Sequence, residues 1–329
     1  MRNPPLARRL ATWCRWGSVG LGLAVVGLVG TGGWVRLSES GLGCPTWPKC
    51  TSSDLVAPGG YHSLVEFTNR CLIAAVGIGA AAVLVLAIIR RERREILLSA
   101  SLLGIYLGEA VVGGITVLAK LAPWLVAIHL ILALVLVVNA VALVWVAWHA
   151  PRLWEPPMSL VWLGRLTGVS LGLVAAAGTV ATGSGPYAGS PGTKRFPLRF
   201  AGAVEFHAVL GVFLFGLVVA TGFLLLQAGA PRRIWVAYAA LVGLVALQGA
   251  LGYAQWFAGL PVGLVEAHII GSALVVAAMA RFNLELAPPR WLLSQPLRGG
   301  DLAYLEERDA QARNLEGALF FAKQAEPKI

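Results

Sequence analysis

Eight long apolar runs, separated by short polar or charged segments, set the rhythm of this chain. They fall at about 16–35, 62–89, 96–119, 124–148, 160–182, 202–228, 235–257 and 263–285. An α-helix needs about 20 apolar residues to cross a bilayer. Backbone N–H and C=O groups in lipid must be satisfied within the spanning segment, so runs of this length are helices. The pattern predicts an all-α polytopic membrane protein with eight transmembrane helices. The first, second, fourth and sixth runs are the clearest. The others are shorter or richer in Gly and Ala.

The polar residues inside these runs repeat. Val65-Glu66-Phe67-Thr68-Asn69 opens the second helix, and Val204-Glu205-Phe206-His207 opens the sixth. Ala127-Ile128-His129 follows Asn69 by 60 residues; Glu266-Ala267-His268 follows His207 by 61. Each second member comes after a Gly-containing helix and a Pro loop, Gly113-Gly114 with Pro123 in one case, Gly249 and Gly252 with Pro261 in the other. The repeat divides the chain into two pseudo-symmetric four-helix halves of one bundle, 16–148 and 160–285. An N-terminal segment 1–15, a linker 149–159 and a tail 286–329 flank them. Helices two, four, six and eight enter from the same side. Asn69, His129, His207 and His268 therefore sit at one depth, roughly 5–12 Å below one boundary at 1.5 Å rise per residue.

Composition agrees with this picture. The chain is 57% apolar and 13% charged, with mean hydropathy +0.74. That excludes an ordinary soluble domain. A net charge of +10 in a soluble protein would raise nucleic acid as a partner. Here the cations lie in loops between spans, so they report orientation, and no nucleic-acid partner is expected. One side carries Arg2, Arg8, Arg9, Arg15, Arg90, Arg91, Arg93, Arg94, Arg152, Arg232 and Arg233. The other carries Arg36, Lys49, Lys120, Lys194, Arg195 and Arg199, a balance of 11 to 6. The N-terminus is thus expected in the cytoplasm and, after eight spans, the C-terminus as well. The first run lacks an Ala-x-Ala-like end and reads as a retained anchor. In the tail, 301–325 reads as either a surface helix or a solvated segment.

Two histidines at matching depth on helices six and eight are the leading chemical feature. His207 and His268 have the composition of both axial ligands of a haem. The alternative is a polar contact that glues helices together. Zinc would require further ligands. In the first half His129 is the repeat mate of His268, but Asn69 stands where His207 has its mate. An amide is a poor iron ligand, so a haem there would have one strong ligand and a weak or open opposite position. The other reading is a first half that has lost its site. His62, two turns before Asn69, lies at a helix start where exposure is expected, and His149 reads as a surface residue.

Glu66 lies three residues before Asn69 on the same helix face. A carboxylate just inside lipid is costly unless it works or is paired. Proton transfer and an ion pair with Arg70 at i+4 are both open, and they are compatible. Glu109 and Glu266 rank lower, and Glu205 points away from His207. Cys44 and Cys50 flank five residues of a Gly- and Pro-containing outer loop, which suggests a disulfide of structural or redox role. Cys14 and Cys71 read as small apolar residues. Ser40-Gly41 recurs as Ser184-Gly185, and the two outer loops are expected to act as lids.

Several of these stretches, in this order, resemble haem A synthase. They are Gly32-Gly33-Trp34-Val35-Arg36-Leu37 with Ser40-Gly41-Leu42-Gly43-Cys44-Pro45, Trp47-Pro48 and Cys50; Glu66-Phe67-Thr68-Asn69-Arg70; and Gly113-Gly114-Ile115-Thr116-Val117 with His129. Thr182-Gly183-Ser184-Gly185-Pro186 with Ala188-Gly189, and Gln248-Gly249-Ala250-Leu251-Gly252-Tyr253 with His268, continue the match. The likeness covers about 16–285. It implies two four-helix halves, a haem b cofactor on His207 and His268, and haem O as substrate near His129 and Asn69. It further implies Glu66 as the essential acid and Cys44 with Cys50 as the outer-loop pair. The implied reaction oxidises the C8 methyl of haem O to a formyl group through a hydroxymethyl intermediate, in the cell membrane. A haem O synthase, cytochrome oxidase assembly factors and a second copy of the chain are the partners such an enzyme would have. Asparagine at 69, where many members carry histidine, departs from the family and puts a bis-histidine substrate site in doubt. Two other classes stay open. A non-catalytic haem b electron carrier or haem carrier would share the histidines. A transporter would share the repeat, but would place its polar groups at mid-membrane.

Overall fold

A computed structural model describes residues 4–148 and 154–293. Eight helices follow one another: α1 (Pro4–Leu37), α2 (Tyr61–Arg90), α3 (Arg93–Leu118), α4 (Pro123–Trp148), α5 (Met158–Ser184), α6 (Phe200–Gln227), α7 (Arg232–Phe257) and α8 (Val262–Leu286). Among the described residues there is no strand. All eight helices are long and apolar enough to cross a membrane, so the chain is an all-α polytopic protein.

The helix ends follow local chemistry. Proline opens α4 and immediately precedes α5, α7 and α8, where a missing N–H costs nothing and the fixed φ suits a first turn. Arg91 closes α2 in the left-handed conformation, its N–H reaching the carbonyls of Ala87 and Ile88. The spans lie within a few residues of those expected, with one exception. The segment 1–15 was expected to precede the first helix, yet α1 begins at Pro4. Leu, Ala and Arg between Pro5 and Arg15 are good helix formers, and nothing there breaks a helix at the membrane boundary. The expected surface helix at 301–325, and His149 and Arg152, lie outside the described residues.

The helices form two four-membered rings. α1 packs on α2 and α4, and α3 closes the first ring between α2 and α4. α5 packs on α6 and α8, and α7 closes the second between them. α1 and α4 join α8, and α4 also joins α5, to make the seam between the halves. The rings differ at one place. α2 and α3 pack side by side, whereas α6 and α7 meet over only a short stretch. The outward faces carry apolar side chains. Phe206, Val209 and Phe213 of α6 are all more than half exposed, as expected of side chains that face lipid tails.

The loops that follow α1 and α5 are tied together across the halves. Gly41 donates its N–H to the Gly189 carbonyl at 2.8 Å. Arg36, at the end of α1, donates through Nε to the Tyr187 carbonyl at 2.8 Å and through Nη2 to the Thr182 carbonyl at 3.0 Å. A Cβ on Gly41 would stand 3.1 Å from that Gly189 oxygen, and Gly189 itself has φ +96°. Both positions of the repeated Gly-rich loops therefore need glycine where the loops meet.

Candidate functional site

In the C-terminal half α6 and α8 bring His207 and His268 together. Their ring centroids are 6.2 Å apart with planes at 80°. The His207 Nδ1 lies 3.0 Å from the Val174 carbonyl of α5. A carbonyl can only accept, so this nitrogen carries the proton and Nε2 keeps its lone pair. One turn later on α5, a Cβ on Gly178 would fall 3.0 Å from His207 Cε1. On α7, a Cβ on Gly252 would fall 3.3 Å from His268 Cε1. Gln248 Nε2 donates to the His268 carbonyl at 2.6 Å. The His268 Nδ1 is buried and has no hydrogen-bond partner.

These residues fit a haem. Two imidazoles from separate helices lie together, His207 Nε2 keeps its lone pair because Nδ1 is tied to Val174, and Gly178 and Gly252 leave the space beside both rings free of side chains. Among the described residues no three His, Cys, Asp or Glu side chains form a cluster that could hold a metal ion. A haem needs only two, because the porphyrin supplies the other four.

The N-terminal half is built on the same plan with different chemistry. A Cβ on Gly113 would lie 3.0 Å from His129 Cε1, and Gly113 precedes His129 by 16 residues, as Gly252 precedes His268. His129 Nδ1 stands 3.1 Å from Oε1 of Glu109 on α3. Asn69 turns elsewhere: Thr31 of α1 meets its Oδ1 at 2.7 Å. No hydrogen bond joins Asn69 to His129 among the described residues. An apolar cleft of about 310 Å³ opens beside Asn69, lined by Thr31, Trp34, Val65, Thr68 and Leu72 among others.

Glu66 is buried, and both its oxygens are engaged. Oε2 accepts the Cys44 N–H at 2.7 Å, and Oε1 pairs with Arg70 Nη2 at 2.6 Å. Arg70 in turn donates to the carbonyls of Cys44, Thr46 and Lys49. Cys44 and Cys50 form the expected disulfide, with Cα atoms 4.3 Å apart. Between them Trp47 rests on α3, where a Cβ on Gly114 would meet its ring at 2.5 Å. The loop thus covers the helix that carries Gly113 and Glu109.

Of the other candidates, His62 is exposed and contacts Ser40 Oγ at 3.0 Å. Glu205 is exposed, Cys14 buried and Cys71 exposed. Glu266 turns into the seam, its Oε2 lying 2.6 Å from where a Gly33 Cβ would stand. The nearness of Glu109 to His129 was not anticipated from the sequence. A signal was present: Glu109 precedes His129 by 20 residues, and Gln248 precedes His268 by the same 20.

No protein-family model matches this chain, and no curated protein matches it.

Proposed function

We propose that the chain is a haem A synthase, an oxidoreductase that converts the C8 methyl of haem O to a hydroxymethyl and then a formyl group. The observation that carries this reading is the His207–His268 pair, two imidazoles brought together from α6 and α8 with ring centroids 6.2 Å apart. These two side chains would hold haem b, which supplies an electron-transfer centre. His129 would hold the iron of the substrate haem O, and Asn69, turned to Thr31, would add no strong ligand. The apolar cleft beside Asn69 suits the farnesyl tail of that substrate.

With water as the source of the oxygen atom and an external two-electron oxidant taking the electrons, methyl to alcohol and alcohol to aldehyde each release two protons, which need an acceptor close by. Glu66 takes that role. Arg70 and the Cys44 N–H hold its carboxylate in place, and the disulfide loop keeps bulk water from it. The excess of Arg at the ends 8–15, 90–94 and 232–233 supports cytoplasmic termini in the cell membrane.

The test is to co-produce the chain with a haem O synthase in a host lacking haem A, then extract the haems and separate them with mass detection. Haem A or its hydroxymethyl precursor is the expected product. Unchanged haem O beside folded, haem b-containing protein would assign the chain to haem b carriers instead.

A further inference from the structure

At the end of the bundle opposite the histidines, α1 and α4 of the first half meet α8 of the second, and Arg233 of α7 reaches the same place. A cavity of about 430 Å³ opens there. Arg281, on its rim, lies 13 residues along α8 from His268, roughly 20 Å at 1.5 Å rise per residue. It is thus separate from both candidate haem sites.

The cavity has two chemical parts. Val141 and Val144 of α4 form an apolar wall, with Trp148 toward the helix end. Arg233, Arg281 and Glu285 occupy the opposite side. Arg233 Nε binds the buried Glu285 carboxylate at 2.8 Å. Arg281 stands 3.7 Å from the same carboxylate, and its side chain is 58% exposed. A third guanidinium, Arg15, lies over the Trp148 ring at 5.5 Å, fixed by its Nε on the Ala147 carbonyl at 3.0 Å. Two cations thus face one carboxylate, and a third stands at the neighbouring Trp148.

Glu285 accounts for one of these charges and leaves an excess of positive charge at the mouth of an apolar groove. Guanidinium groups bind phosphate through several donors at once. Tryptophans mark the depth at which headgroups meet acyl chains. A free phosphate would use the arginines and leave the valine wall idle; a phospholipid uses both.

We propose that this groove is a binding site for one anionic phospholipid, its phosphate on Arg281 and Arg233 and its acyl chains along Val141 and Val144. The inference stands apart from the haem chemistry. It also accords with the excess of Arg at this end, because anionic lipids concentrate in the cytoplasmic leaflet.

The test is native mass spectrometry of the full chain in detergent, titrated with phosphatidylglycerol or with phosphatidylcholine of the same acyl chains. One phosphatidylglycerol should bind at least fivefold more tightly than phosphatidylcholine. Arg281→Gln, at an exposed side chain, should weaken phosphatidylglycerol about fivefold and leave phosphatidylcholine unchanged. Val144→Phe, which fills the wall, should remove the bound lipid, with circular dichroism confirming the fold of both variants. Equal binding of the two lipids, or wild-type binding by both variants, overturns the proposal. Displacement of phosphatidylglycerol by inorganic phosphate would assign the site to a free anion and overturn it as well.

Discussion

The Glu66 carboxylate accepts the Cys44 backbone N–H at 2.7 Å, so the acid of α2 and the disulfide loop above it form one unit. Arg70 completes the unit by binding Glu66 and the Cys44 carbonyl through the same Nη2. Replacing Glu66 by Gln removes the charge but keeps the shape. A hydrogen bond to a charged group contributes ~1.5–3 kcal/mol, so the melting temperature should fall by several degrees. Formation of the aldehyde should stop, while His207 and His268 still hold haem b. Product chromatography beside the haem-to-protein ratio checks both points. Full activity in this variant would sink the proton-transfer role.

The disulfide should matter through the same contact. Without the Cys44–Cys50 bond the loop gains freedom that the N–H to Glu66 must then overcome. Removing a native disulfide typically costs ~2–4 kcal/mol. The Cys44→Ser, Cys50→Ser double variant should therefore melt earlier. It should keep its haem b spectrum, because the bond lies in the other half, and lose at least tenfold in product formation. A variant with unchanged turnover would separate the loop from the chemistry.

Glu109 and Gln248 occupy the same position of the repeat but act differently. Gln248 donates to a backbone carbonyl, whereas the Glu109 carboxylate stands 3.1 Å from the His129 Nδ1 without forming a hydrogen bond to it. A carboxylate behind a metal-binding imidazole fixes its tautomer and strengthens it as a ligand, and losing one typically costs 10–100-fold in affinity or activity. Glu109→Gln should lower affinity for the substrate haem by about tenfold or more and shift its absorption spectrum. The haem b spectrum should stay as it is. Spectral titration of the purified protein with haem O measures both. An unchanged titration would show that Glu109 only fills space.

Much of this was legible in the sequence, and the reasons are physical. Lipid leaves helices as the only spanning solution for such runs, so the eight spans could be counted directly. The repeat placed His207 and His268 at equal depth before any contact was known. The i+4 spacing foretold the Glu66–Arg70 pair. What could not be read was rotation about each helix axis. That Asn69 turns to Thr31, and that Glu109 rather than a more exposed acid meets His129, depends on how α1 and α3 pack against their neighbours. The extension of α1 to Pro4 escaped for another reason: hydropathy marks where lipid ends, and a helix of Leu, Ala and Arg has no cause to stop there.

The glycines beside the histidines offer the sharpest test of the cofactor site. On α5 a methyl group added at Gly178 would come within 3.0 Å of His207 Cε1, while one added at Gly172 of the same helix meets nothing within 4 Å. His207 cannot retreat freely, because its Nδ1 is held by Val174. Both substitutions carry the same helix-propensity gain of ~1 kcal/mol for Ala over Gly, so any difference between them reports the contact. Gly172→Ala should match the parent in haem content and be slightly more stable. Gly178→Ala should displace the imidazole by a few tenths of an ångström and weaken haem retention, and Gly178→Leu should lose the bis-histidine spectrum altogether. Measuring haem per protein and the low-spin absorption bands for the three variants separates these outcomes. If Gly178→Leu still bound haem with two histidine ligands, the ring would have to sit elsewhere, and the His207–His268 pair would no longer define the site.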